Sequence, residues 1–248
     1  MNRTPRLSKS AIEYLDYVWN FESGCTKGCH FCYAAKIAKR FPGHYPNGFE
    51  PTLYPEAFTS PWHLRKPSII GVGYMGDLFD DAIDPEGLVT WGDRVYEKAP
   101  LRQRIFWTIQ QAPQHRFLFL TKQPQNLARW SPFPDNCWVG VSATDMRMLA
   151  DACYELKRVE ARVKYISLEP FLDYSRTTDL LAWNLRTALV EAGINWLVIG
   201  GRSGADRFYP PDEWIDEIES AADGAGIPVF EKNNLRKVWA NPPKQDMP

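Results

Sequence analysis

The run Cys25-Thr26-Lys27-Gly28-Cys29-His30-Phe31-Cys32 places three of the chain's five cysteines in one short stretch, spaced C-x3-C-x2-C. The N-terminus, Met1-Asn2-Arg3-Thr4-Pro5-Arg6, lacks the apolar core of a secretion signal. Three thiolates this close in such a chain suit zinc or an iron–sulfur cluster better than disulfides. Four protein ligands would close a structural site. Three leave one metal position open, and open positions are where chemistry takes place. The competing reading is a zinc knot with His30 or His44 as fourth ligand. His30 lies between two cysteines, too close in sequence to bind easily with both; His44 follows Cys32 at a reach that zinc sites use.

Outward from this stretch, Tyr17-Val18-Trp19-Asn20-Phe21 is apolar and β-prone and runs straight into the cysteines. Residues 11–15 read as a short helix or a capping strand. Tyr33 to Arg40 contains strong helix formers, with Lys36, Lys39 and Arg40 toward the end that favours cations, and Phe41-Pro42-Gly43 stops it. Residues 42–67 mix prolines (Pro42, Pro46, Pro51, Pro55, Pro61, Pro67) with aromatics and read as an ordered cover near the cysteines. From Ser68 onward strands alternate with helices. The strands are expected at 68–74, 116–122, 137–142, 163–169, 196–201 and 227–232. The helices are expected at 85–98, where Leu88, Trp91, Val95 and Tyr96 have helical spacing, and at 101–111, 124–130 and 178–192, the last ended by Gly193. Asp145 and Asp212 are expected to cap two more. The tail, 233–248, reads as partly mobile.

About seven strands in this rhythm argue for βαβ units and a parallel sheet, with a doubly wound sheet as the runner-up. Asp77, Thr121, Lys122, Ser142, Glu169, Arg202, Glu231 and Lys232 gather at strand ends, where a parallel barrel collects its ligands; the plainer account is that strand ends are where solvent begins. A length of 248 residues fits one large domain or two small ones with a sizeable core. The net charge of −1 provides no overall basic field for nucleic acid. No apolar run reaches transmembrane length, and a cytoplasmic location is expected. Ten tryptophans and 14% aromatics imply a large aromatic core, with stacking on a flat substrate as the sharper alternative. Cys137 and Cys153 read as structural core thiols.

The cysteine spacing, with Phe31 in the aromatic slot before the last cysteine, resembles the C-x3-C-x-aromatic-C signature of radical S-adenosylmethionine (SAM) enzymes. Five further phrases carry a second resemblance: Gly73-Tyr74-Met75-Gly76-Asp77-Leu78-Phe79, Phe119-Leu120-Thr121-Lys122-Gln123-Pro124, Trp138-Val139-Gly140-Val141-Ser142, Ser167-Leu168-Glu169-Pro170 and Val198-Ile199-Gly200-Gly201-Arg202-Ser203-Gly204. Together, and in this order from about Tyr17 to Lys232, they resemble the phage Gp37/Gp68-like proteins, a domain family of unknown function with radical SAM features.

The resemblance implies one radical SAM-like domain over residues 1–248, with a core at about 17–232, a lid loop at 42–67 and a tail at 233–248. The implied fold is α/β, a partial TIM-type (β/α)6 barrel of mostly parallel strands with the irregular Pro/aromatic-rich loop after the cysteine motif. Cys25, Cys29 and Cys32 would ligate three irons of a [4Fe-4S] cluster, and the fourth iron would take the amino and carboxylate groups of SAM. By position, Phe31 falls near the adenine, Gly76 and Asp77 at the methionine amino group, and Ser142 at the ribose or the methionyl carboxylate. Glu169 falls at the ribose hydroxyls and Lys122 at the SAM carboxylate or a substrate anion.

The implied activity is reductive cleavage of SAM, using an electron from an external flavodoxin- or ferredoxin-like donor. It yields methionine and a 5′-deoxyadenosyl radical that abstracts hydrogen from a substrate. A nucleic-acid base or nucleotide is the substrate class that the phage resemblance and the aromatic content suggest; no membrane is implied, and neither a catalytic side chain nor an oligomeric state is specified. Two departures stand out. Many phage Gp37/Gp68-like members carry a longer insertion between the first two cysteines, and they usually have an acidic residue where Arg202 stands. The alternatives are a zinc-stabilised, non-catalytic binding protein and an iron–sulfur electron-transfer protein, the latter weakened by the lack of a fourth nearby cysteine.

Overall fold

A computed structural model describes residues 6–91, 94–175, 178–180, 182–238 and 241–248. The chain divides into two compact units, Met1–Trp138 and Val139–Pro248. The first contains β1 (Leu7–Lys9), β2 (Tyr17–Trp19), β3 (Glu22–Ser23), α1 (Tyr33–Arg40), β4 (Thr52–Leu53), β5 (Ile69–Val72), β6 (Leu88–Trp91), β7 (Arg94–Pro100), α2 (Leu101–Gln110) and β8 (Arg116–Thr121). The second takes up the chain within β9 (Cys137–Ser142) and continues with α3 (Met146–Leu156), β10 (Val163–Leu168), α4 (Leu185–Ala192), β11 (Trp196–Ile199), α5 (Asp212–Ala225) and β12 (Val229–Glu231).

Eight strands form one sheet in the order β1-β2-β5-β8-β9-β10-β11-β12, with β1 and β12 at its edges. β1 is antiparallel to β2; the pairs β2/β5, β5/β8, β10/β11 and β11/β12 are parallel. Apart from two small antiparallel pairs, β3/β4 and β6/β7, neighbours follow chain order without reversal. A doubly wound sheet reverses its strand order at a switch point, so that alternative is excluded. No described helix is long and apolar enough to cross a membrane.

Aromatic side chains form the core of the first unit. Trp19 and Phe21 lie 4.5 Å apart between ring centroids, Phe58 packs edge-on below Phe21, and Phe79 meets Phe119 and Trp130. The Trp19 indole N–H donates to Ala57 O at 2.7 Å, which satisfies its one polar atom. Trp19, Trp130, Trp138 and Trp196 are all buried, so the core account of the tryptophans holds for these four. In the second unit Gly140 on β9 leaves room for the Tyr165 ring: a Cβ there would stand 2.3 Å from it.

Several expectations fail for local reasons. Residues 85–98 are not a helix; β6 and β7 form a hairpin. Val89, Thr90, Val95 and Tyr96 are β-formers, a signal that the chance helical spacing of the apolar residues outweighed. The expected 178–192 helix is helical as α4 only from Leu185, where the Asn184 side chain accepts from Thr187 N at 2.9 Å; Thr178–Leu180 is a single 3-10 turn. Gly193 ends α4 in the left-handed conformation, as expected. Asp145 caps α3 through Met148 N, but Asp212 is already the first helical residue of α5, preceded by Pro211. The tail is tied down: Glu231 N donates to Lys244 O at 2.7 Å and Asp246 N to Val229 O at 3.1 Å, so residues 244–246 line β12.

Gly140→Ala is expected to lower the unfolding free energy by about 1–3 kcal/mol, because the new methyl must displace the Tyr165 ring. Urea denaturation checks this; an unchanged midpoint would mean that β9 yields at no cost.

Candidate metal centre

β2 delivers the chain into β3 and then the cysteine loop, which ends where α1 begins. Gly24 has φ +91° and a Cβ there would stand 2.2 Å from Glu50 O, so only glycine fits this entry point. Its backbone forms a parallel bridge to Gly76 in the turn after β5: Gly24 N donates to Met75 O at 3.1 Å and Asp77 N to Gly24 O at 3.2 Å. Cys25 N donates to Phe49 O at 3.1 Å, which fastens the Pro/aromatic-rich segment to the loop. Within that segment β4 pairs with β3, and the hydroxyls of Tyr54 and Ser23 lie 3.0 Å apart. Cys32 caps α1, its sulfur accepting from Ala35 N at 3.4 Å. All three cysteines are half-buried, and none is in a disulfide.

The loop is anchored by Asp80, which is fully buried. Its carboxylate accepts from Thr26 N at 2.7 Å, the Thr26 hydroxyl at 2.9 Å, Ala82 N at 2.9 Å and Gln123 Nε2 at 2.7 Å. Burial pushes its pKa up, but the donors of Ala82, Thr26 and Gln123 outweigh burial and hold it below the ordinary carboxylate value. An acceptor-only carboxylate fixes the flip of the Gln123 amide, whose Oε1 accepts from Asp81 N at 3.4 Å. A Gln123 N–H therefore faces Cys25 Sγ, at 3.9 Å. Lys27 N also donates to that sulfur, at 3.3 Å. Burial still pushes the Cys25 thiol up to about 12, with Asp77 and Asp80 adding to the rise.

Asp77 is equally engaged. Its oxygens accept from the Thr121 hydroxyl at 2.7 and 2.8 Å, Lys122 N at 3.1 Å and Phe79 N at 3.0 Å. It joins the ends of β5 and β8, and its lone pairs are taken by the chain itself. Glu22 is the opposite case: it is fully buried, and among the described residues neither carboxyl oxygen has a hydrogen-bond partner. Its carboxyl lies against Gly73 and Gly76, where a Cβ would stand 2.4 and 2.2 Å from its oxygens. The small size of Gly76 thus makes room for Glu22 and Gly24. Burial, then the charges of Asp77 and Asp80, push the Glu22 pKa well above the ordinary carboxylate value.

Of the residues singled out from sequence, Cys25, Cys29, Cys32, Phe31, Gly76, Asp77 and Lys122 come together in the first unit. Lys122 Nζ lies 6.0 Å from the Phe31 ring centroid, within reach of a cation–π interaction. In the second unit Ser142 is buried at the end of β9, and Glu169 pairs with Lys232 at 2.5 Å, both beside Gly200. Cys137 and Cys153 are buried, and burial first of all raises both thiols, as suits inert core positions. His30 packs edge-on against Phe31. Among the described residues no three His, Cys, Asp or Glu side chains converge on one metal ion. A [4Fe-4S] cluster takes one thiolate per iron, so its ligands need not meet at a point. Three unpaired soft sulfurs on one anchored loop fit such a group.

Sequence reasoning missed Glu22, Thr26, Asp80 and Gln123. The available signals were an acid directly after the apolar run of β2 and a pair of acids, Asp80-Asp81, directly after Leu78-Phe79.

A family model described as a protein of unknown function, DUF5131, matches residues 9–237. The chain belongs to the DUF5131 family. The DUF5131 match takes in the cysteines, Glu22, residues 73–80 and residues 121–123, the whole of the arrangement just described. No curated protein and no solved structure matches the chain.

Asp80→Ala strands the donors of Thr26, Ala82 and Gln123 and is expected to cost about 2–4 kcal/mol in urea unfolding of the metal-free protein. A loss under about 0.5 kcal/mol would mean that the loop is held by something else. Glu22 keeps its proton in the folded state to a higher pH than in the unfolded chain, which releases it near pH ~4.3. Between those two pKa values unfolding releases a proton, so stability falls as pH rises. Glu22→Gln removes that loss and should gain on the wild type as pH rises from about 4 to about 8. Parallel pH–stability curves for the two proteins would sink this assignment.

Proposed function

We propose that this DUF5131 chain is a radical SAM enzyme with a [4Fe-4S] cluster on Cys25, Cys29 and Cys32. The observation that carries the reading is the anchored loop of three unpaired thiols, set in the first unit beside the turns that follow the parallel strands β5 and β8. The unreversed strand order supports the partial TIM-type barrel, in which such strand ends form the working face. The phage Gp37/Gp68-like resemblance belongs to the same reading, as does a reducing, cytoplasmic setting for the free thiols.

When bound, the cluster and SAM would supply the one-electron chemistry, reductive cleavage to methionine and a 5′-deoxyadenosyl radical for hydrogen abstraction from a substrate such as a nucleic-acid base or nucleotide. The chain's own residues bind and orient. Cys25, Cys29 and Cys32 would hold the cluster as thiolates, Cys25 against its raised pKa. Asp80 holds Thr26 and aims a Gln123 N–H at the Cys25 sulfur, which keeps the loop in one geometry as the charge of the site changes. Asp77 fixes the Thr121–Lys122 turn, which brings the Lys122 ammonium beside Phe31 as the partner for a ligand carboxylate or a substrate anion. Phe31 offers a flat apolar face next to that cation, suited to an adenine.

The test is anaerobic purification, reconstitution with iron and sulfide, addition of SAM and dithionite, and assay of 5′-deoxyadenosine. A brown protein that forms it, and a Cys29→Ala variant that does not, are expected. A brown protein without SAM affinity would favour electron transfer, and a colourless protein with stoichiometric zinc would favour a binding module; either overturns the proposal.

A further inference from the structure

Charge is distributed unevenly around the cysteine loop. Between Glu22 and Glu50 the chain contains no Asp or Glu, yet it carries Lys27, Lys36, Lys39 and Arg40 in a protein of net charge −1. All four are exposed. Lys36, Lys39 and Arg40 stand at i, i+3 and i+4 on α1, opposite the buried Ala34 and Ala38, and so form one stripe that starts directly after Cys32. Exposed Tyr33 and Phe41 stand at its two ends.

Elsewhere on the surface several cations have a carboxylate partner, although among the described residues exposed Arg65, Lys66, Arg162 and Lys237 do not. Arg102 pairs with Glu86, Lys157 with Glu191, Arg158 with Glu155, Arg236 with Asp212 and Lys244 with Glu219. Among the described residues none of Lys27, Lys36, Lys39 and Arg40 has a carboxylate partner. Cations near a helix C-terminus gain from the dipole, which accounts for Lys39 and Arg40 but not for Lys27 or Lys36.

We infer that this stripe is the docking surface for the acidic face of a small one-electron carrier protein. The inference rests on the radical SAM reading. Its size decides between partners. Four cations on and beside a two-turn helix meet few phosphates, and the net charge of −1 adds no wider basic field to hold a nucleic acid at physiological salt. Electron-transfer encounters are small and weak, below about 1,200 Å² in total, and they use charge mainly to raise the on-rate. Tyr33, whose hydroxyl donates to Tyr74 O, presents beside the cations a type of side chain enriched among interface anchors. One electron leaves the carrier, which is oxidised by one, and enters the cluster, which is reduced by one; no bond forms or breaks.

The experiment compares reduction of the reconstituted protein by reduced flavodoxin, an acidic carrier, and by dithionite in stopped flow. The variants are Lys36→Glu/Lys39→Glu/Arg40→Glu and a control, Lys157→Glu/Arg158→Glu. Reduction by flavodoxin should slow about tenfold or more in the triple variant and lose its salt dependence, with the dithionite rate and the control unchanged. Because Glu opposes the dipole at the end of α1, Lys36→Gln/Lys39→Gln/Arg40→Gln serves as the milder variant and should show a smaller effect of the same sign. Binding of oxidised flavodoxin to the metal-free protein is measured separately. Salt-sensitive binding lost in the triple variant supports the surface even if no cluster assembles, an outcome that would defeat the radical SAM reading alone. Equal flavodoxin rates in the triple variant and the wild type overturn the inference. So does loss of single-stranded oligonucleotide binding in the triple variant with its flavodoxin rate intact.

Discussion

The cysteine loop depends on a buried carboxylate with every donor it needs. The loop contains two glycines at positive φ, Gly24 and Gly28, and no regular structure until α1, so alone it would sample many conformations. Asp80 draws in the backbone and hydroxyl of Thr26, and through Gln123 it reaches the neighbouring sulfur. A buried charge is tolerable only when hydrogen-bonded, and here the donors come from the cysteine loop, from its own turn and from the turn after β8. Three segments far apart in sequence are thereby committed to one geometry. Asp77 does the same for β5 and β8 through Thr121 and Lys122, so two acids of one turn tie the cysteine loop and the end of β8 together.

Glu22 shows the cost of this construction. A third acid beside Asp77 and Asp80, without donors of its own, holds its proton to a higher pH than an ordinary carboxyl does. Gly73 and Gly76 accommodate its carboxyl where larger residues would collide. The Gly-Tyr-Met-Gly-Asp phrase therefore has a packing reason independent of any ligand.

Legibility in the sequence followed the range of the interactions involved. The strands 116–121, 137–142 and 163–168 and the helix α1 are long or strongly patterned, and local propensity marked their bounds to within a residue or two; Asp145 marked the start of α3 and Gly193 the end of α4. The β6/β7 hairpin was lost because Leu88, Trp91, Val95 and Tyr96 satisfied a helical period by coincidence, whereas strand pairing is decided by the partner. The cysteine loop stood out in the sequence because thiols in such tight spacing are uncommon, and the structure puts Lys122 beside it through Phe31. Asp80 and Gln123 did not stand out: each looks like an ordinary loop residue until the fold sets it against Thr26, and no local pattern encodes a contact across dozens of residues.

The tail that lines β12 has a consequence for how the protein keeps company with itself. A sheet edge with free N–H and C=O groups invites another chain to add a strand. At the β12 edge those groups are already taken by Lys244 and Asp246, and Trp196 donates to Asp246 O at 2.8 Å, which holds the strap in place. At the other edge β1 is three residues long and ends in exposed Ser8 and Lys9. The β12 border is closed to strand addition, and a partner meeting it has to use side chains instead of shared β-structure.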